Sequence, residues 1–149
     1  TYGMTNEIEF GGLRNFDITP FQTVLVEELI PYIDSNFRTL ANQENRAMAG
    51  LSMGGFETKL VTLNRPDVFS SYALFSGGTY NADEIKEHSG LKLVFMGCGS
   101  KEFPDGVNNA AAALKEAGYN AVSYVSEGTA HEFHTWRRCL YEVSQLLFK

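Results

Sequence analysis

Arg46-Ala47-Met48-Ala49-Gly50-Leu51-Ser52-Met53-Gly54-Gly55 decides how this chain is read. Its first half has the apolar character of a buried strand, Gly54–Leu63 is helical by position, and Ser52 stands where one gives way to the other. Gly-x-Ser-x-Gly in that setting predicts a nucleophile elbow, a turn so tight that residues two before and two after the serine must lack bulk. Glycine at 50 and 54 fits this requirement. Ser52 would then project its hydroxyl above the carboxyl edge of a sheet. The backbone N–H of Met53, at the start of the helix, would face a developing oxyanion. The competing reading is a plain glycine-rich turn.

Four short apolar runs, Arg46–Leu51, Ser71–Phe75, Leu91–Met96 and Ala121–Val125, are each followed by a helical segment or a loop leading to one. Continuous apolar runs mark strands buried on both faces, and alternation with helices implies parallel crossovers. The expected class is α/β: part of a mostly parallel, doubly wound sheet with flanking helices. Upstream, Thr19 and Gln22 form a Thr-x-x-Gln capping box for a helix whose first helical residue is Pro20. Phe21, Val24, Leu25, Leu29, Ile33 and Phe37 recur along it at helical spacing, and Pro31 should kink it. Asn81 can cap a short helix through His88, and Asp105 the alanine-rich helix that ends before Gly118. A last helix, near Thr135–Leu147, closes the chain.

The length of 149 residues, with 44% hydrophobic and 13% aromatic content and no repeat or low-complexity linker, reads as one domain, 1–149. A net charge of −6 without a basic block argues against a nucleic-acid partner. No apolar run approaches the roughly 18 residues that span a bilayer, and the first residues lack the pattern of a signal peptide. Cys98 and Cys139 lie outside any Cys-x-x-Cys arrangement and read as thiols in apolar sites.

A serine hydroxyl needs a base to take its proton and a carboxylate to orient that base. After an elbow of this kind the order along the chain is serine, acid, histidine. Of the three histidines, His131 lies just beyond the last strand, where the base must be. His88 falls between strands on the opposite side, and His134 sits nearer the final helix. The acid should follow the third strand: Glu102 comes about six residues past it, and Asp105, the alternative, is needed as a cap. Asp83 and Glu84 follow the wrong strand. His131-Glu132-Phe133-His134 superficially echoes a zinc helix, but its imidazoles are three apart instead of four, so no metal or other cofactor is expected.

These residues resemble the first carbohydrate esterase family, in its feruloyl-esterase-like branch. The matching stretches are Leu29-Ile30-Pro31-Tyr32-Ile33-Asp34 with Asn36-Phe37-Arg38-Thr39, the serine segment, Phe75-Ser76-Gly77, and Gly128-Thr129-Ala130-His131-Glu132-Phe133 followed by Thr135-Trp136-Arg137-Arg138. The serine segment is common to a wider superfamily, and the ending is more particular to this branch. The resemblance implies an α/β-hydrolase fold and hydrolysis of feruloyl and related hydroxycinnamoyl esters on plant arabinoxylan. It carries a triad over to Ser52, His131 and the position of Glu102, where many members have Asp. Acetylxylan or a siderophore lactone is the alternative substrate, and a non-catalytic carbohydrate-binding or assembly module the alternative class.

Phe75, Ser76, Gly77, Tyr80 and Phe103 are candidates to line an apolar slot for an aromatic acyl group. Trp136, a lone helical tryptophan, reads as core. The resemblance begins inside the family pattern, so the chain is expected to be the C-terminal part of the fold, with the N-terminal strands absent and Thr1–Leu13 ending a crossover loop. An open sheet edge then calls for an N-terminal piece of the same enzyme or for self-association. A polymeric substrate implies a secreted or periplasmic protein.

Overall fold

The computed structural model describes residues 17–149, and the chain divides into two compact units with the break after Ala41. The reading of Thr1–Leu13 lies outside the described residues. The first unit carries α1 (Thr19–Thr23), a π-helical stretch (Val24–Leu29) and α2 (Ile30–Asn36). Thr19 is not the cap: it is already helical, Ile18 is the N-cap residue, and the Asp17 carboxylate accepts the Thr19 N–H at 2.9 Å. A carboxylate is the stronger acceptor at the positive end of a helix. Pro31 lies in the first turn of α2, and the carbonyl its ring would strike, that of Glu27, lies in the π segment. The disturbance that proline brings thus takes the form of wider-spaced hydrogen bonding just upstream.

In the second unit a 3₁₀ turn (Gln43–Asn45) leads into β1 (Ala47–Leu51). There follow α3 (Met53–Asn64), β2 (Ser71–Phe75), α4 (Ala82–Ile85), β3 (Leu93–Gly99), α5 (Pro104–Glu116), β4 (Ala121–Ser126) and α6 (Phe133–Ser144). The strands lie in the order β1-β2-β3-β4, and every pairing is parallel. Each residue of β2 and β3 is buried, which is why those runs are apolar without alternation.

Right-handed crossovers that step in one direction place their helices on one face of a sheet. Accordingly α3 packs on β1 and β2 and α5 on β3 and β4, while α6 returns across β2, β3 and β4. Ala73, Phe75, Leu93 and Phe95 form a core with Cys139 and Val143 of α6. The alternate residues Tyr72, Leu74, Val94 and Met96 are buried on the opposite face. Each large apolar side chain so buried contributes about 1.5–3 kcal/mol. Both cysteines are buried free thiols, and burial above all pushes Cys139 up to about 12.

One helix end and one helix start depart from expectation. Asn81 and Glu84 do form a reciprocal capping box, but α4 ends at Ile85 instead of reaching His88. Pro104 takes the first turn of α5 with Phe103 at the N-cap, so Asp105 lies inside the helix and caps nothing. The fixed φ of proline suits a first helical position and sets the boundary.

Candidate active site

The strand ladder runs one residue past the strand ends. Ser52 N–H donates to Phe75 O (2.8 Å), Ser76 N–H to Gly97 O (2.7 Å) and Ser100 N–H to Ser126 O (3.0 Å). Successive strands thereby deliver their next residues to one carboxyl edge. Ser52 has φ 51° and ψ −121°, a left-handed conformation that costs a non-glycine residue about 1–3 kcal/mol.

Close backbone packing holds this strain in place. A Cβ on Gly50 would lie 1.9 Å from Gly54 O and 2.6 Å from Thr58 Oγ1. Gly55 and Gly77 approach so closely that a Cβ on Gly77 would meet Gly55 Cα at 2.5 Å. Gly54, by contrast, has no such neighbour within 4 Å among the described residues, so the expected crowding falls on Gly55 instead. Met53 is the first residue of α3, and its N–H therefore has no acceptor within the helix.

His131 Nε2 lies 2.8 Å from Ser52 Oγ, and His131 Nδ1 lies 2.8 Å from Glu102 Oε1. With Nδ1–H donating to the carboxylate, Nε2 is left bare to accept the serine proton. Glu102 sits in the turn after β3, where its N–H donates to Gly99 O at 3.0 Å. Its Oε2 accepts the Gly99 N–H (2.7 Å) and the Ser76 hydroxyl (2.8 Å). The Glu102 side chain is 8% exposed, whereas that of His131 is 50% exposed. Burial raises the Glu102 pKa, but the bonds from Gly99, His131 and Ser76 together outweigh it and hold the carboxyl below its ordinary value.

That shift has a consequence for stability. A carboxyl held below its ordinary 4.5 stabilises the fold above that value, and its contribution is lost as the pH falls through the lowered one. Glu102→Gln, isosteric and uncharged, should thus unfold more readily than the parent near neutrality. In urea titrations the gap between the two should close as the pH drops below 4.5; a gap indifferent to acid would contradict the assignment.

The loop that carries His131 is fixed from beneath. Thr129 Oγ1 donates to Ser126 O (2.9 Å), Thr135 Oγ1 bonds Thr129 Oγ1 (2.7 Å), and Arg138 Nη1 donates to Glu127 O (3.0 Å). Lys101 N–H reaches over to Thr129 O (3.0 Å), tying the Glu102 turn to the His131 loop.

Other candidates lie elsewhere. The His88 ring meets Tyr72 Oη at 3.1 Å, and burial lowers its pKa. His134 joins Leu51, Phe75, Phe133, Trp136 and Leu140 in lining an apolar groove of about 460 Å³. Glu84 is taken by its capping box and by Lys59 at 2.8 Å, and Asp83 lies beside it in the first turn of α4.

Of the expected slot residues, Phe103 is 41% exposed beside Glu102, and Phe75 opens on that groove. Tyr80 cannot line a slot: it is 1% exposed, packed on Tyr72, with its hydroxyl 2.6 Å from Thr62 Oγ1. Ser76 is turned to Glu102, and Gly77 to Gly55. Trp136, read as core, does pack against the cluster of Phe75 and Phe95, and it also brings Nε1 to 3.0 Å from Ser76 Oγ and its ring edge-on to His131. Helical spacing alone holds no sign of that role. Among the described residues no cluster of three or more His, Cys, Asp or Glu could hold a metal, and no helix is long and apolar enough to cross a membrane.

Comparison with known proteins bears on the family and the fold. An endo-1,4-beta-xylanase/feruloyl esterase of Xylanibacter ruminicola is 57% identical over 99% of this chain, which spans 20% of that relative's length. The feruloyl esterase module of Clostridium thermocellum, solved with sinapinate, superposes with a TM-score of 0.73 at 23% identity, covering 90% of this chain and 60% of that one. The CE1 ferulic acid esterase of the fungus Anaeromyces mucronatus gives a TM-score of 0.66 at 18% identity over 98% of this chain and 59% of that one. The fold is that of the α/β-hydrolases. The Esterase family model matches residues 12–144, a span that holds the elbow, the Glu102 turn and the His131 loop, and the chain belongs to that family.

Proposed function

We propose that this chain supplies the nucleophile, base and acid of a serine carboxylic-ester hydrolase that releases hydroxycinnamates, chiefly ferulate, from plant cell-wall arabinoxylan. The observation that carries the reading is the unbroken contact from Ser52 through His131 to Glu102. Ser52 Oγ attacks the ester carbonyl as His131 Nε2 takes its proton, and the Met53 N–H donates to the oxyanion. The sugar alcohol leaves with that proton. Water, deprotonated by His131, then cleaves the acyl-enzyme and frees the acid. No step calls for a cofactor.

The name of the 57% identical relative supports feruloyl esters over acetyl or siderophore esters. A non-catalytic binding module has no use for a serine held at φ 51° with an imidazole on its hydroxyl. Among the described residues β1 pairs only with β2. Its free side is suited to a strand from the rest of a longer polypeptide, or to a second copy. A polymeric substrate places the enzyme outside the cell or in the periplasm.

The test is a panel of esters, assayed on the whole polypeptide that carries this segment. Methyl ferulate should exceed acetylated xylo-oligosaccharide and a catecholate siderophore by about tenfold or more in kcat/KM. A preference for acetyl groups would overturn the substrate. Failure of a fluorophosphonate to modify Ser52 in that polypeptide would overturn the serine mechanism.

A further inference from the structure

We propose that Trp136 and Ser76 are positioning residues for this reaction, a relay that fixes the Glu102 carboxylate so that it can fix the His131 imidazole; this rests on the reading of Ser52, His131 and Glu102 as a triad. The direction of every bond in the relay is forced by chemistry. An indole N–H can only donate and a carboxylate can only accept, so the hydroxyl between them must accept from Trp136 Nε1 (3.0 Å) and donate to Glu102 Oε2 (2.8 Å). With Oε2 held by Ser76 and by the Gly99 N–H, Oε1 faces His131 Nδ1. The Trp136 ring then closes the circuit, meeting the His131 ring edge-on at 5.1 Å and 89°. Four side chains thus form a loop in which each constrains the next, with Ser52 hanging from one member.

Ser76 supports this view by what it endures. It keeps a left-handed backbone at φ 50°, where glycine would be easier, and it is 8% exposed. Of the CH₂OH group that glycine lacks, the hydroxyl is the part that makes the bonds to Trp136 and Glu102.

The alternative is that Ser76 merely satisfies a half-buried indole N–H and matters to packing alone. Steady-state kinetics on the whole polypeptide, with Tm measured alongside, separate the two. Ser76→Ala should lower kcat about tenfold, the loss of a hydrogen bond to a charged group, with KM within about twofold. Trp136→Phe keeps a ring against His131 and removes the donor, so it should lower kcat by somewhat less. Because the indole acts through the hydroxyl, the double variant should be no slower than Ser76→Ala alone. Ser76→Gly relieves the backbone and should retain Tm while losing kcat as Ser76→Ala does. An unchanged kcat in Ser76→Ala, or losses that multiply in the double variant, would overturn the relay with the triad intact. Turnover that survives Ser52→Ala in the same series would overturn the triad itself.

Discussion

Ser52→Ala should lower kcat for methyl ferulate on the order of 10⁴- to 10⁶-fold in the whole polypeptide, with no loss of thermal stability. The size of the effect follows from what is removed. In the proposed mechanism Oγ is the atom that bonds the acyl carbon, and without it only substrate binding and oxyanion donors would remain, which leave a small residue of rate over water. Stability should hold because alanine fits φ 51° no worse than serine, and the lost bond runs to an imidazole that is half exposed. Progress curves at substrate saturation, with circular dichroism to show the fold intact, make the measurement. A variant within tenfold of the parent would show that another group attacks the ester.

Gly50→Ala should be the most damaging small change in the sheet. The added carbon would stand 1.9 Å from Gly54 O, a backbone atom at the first turn of α3, and no rotamer can relieve that contact. Either the strand end or the helix start must shift, and a cost of about 3 kcal/mol or more is expected, with hydrolysis lost as Ser52 leaves the reach of His131. Gly54→Ala is the control, since its Cβ enters open space and alanine favours a helix. Its unfolding free energy should stay within about 1 kcal/mol of the parent. Equal midpoints for the two variants in urea would refute this account of the elbow.

The strands were largely legible because burial on both faces writes itself as uninterrupted apolar sequence. Ser71–Phe75 is read at its true bounds. Leu91–Met96 is shifted, because Gly97-Cys98-Gly99 looks like a turn and is in fact the end of β3. Those glycines are there for close approach: a Cβ on Gly97 would strike Cys139 Sγ at 2.6 Å, and one on Gly99 would strike Thr129 O at 2.4 Å. Such contacts arise between residues distant in sequence and leave no local trace. The helix starts at Thr19 and Asp105 went astray for a related reason, since the local cap competes with a neighbouring carboxylate in one case and a proline in the other.

At the site, order along the chain and strand-end placement point to Ser52, Glu102 and His131, which lie in contact. Asp105 does not have the capping duty that sets it aside in the sequence, so strand-end placement alone favours Glu102. Ser76 reads in the sequence as a slot residue and Trp136 as core, and the positioning role proposed for them is not legible there because it is relational. A serine after a strand and a tryptophan on a helix acquire meaning only when 60 positions of chain fold one onto the other.

Ser52, Ser76, Glu102 and His131 each follow a different strand, taken in sheet order. Neighbouring strands are spaced about 4.8 Å apart, and a slip of one residue moves a strand end by about 3.3 Å, more than any of these hydrogen bonds can stretch. On the proposed mechanism Ser52 is therefore a register gauge. A reagent that modifies it reports, in one step, that four separate strands have docked in alignment, so chemical reactivity can follow assembly of the sheet during refolding.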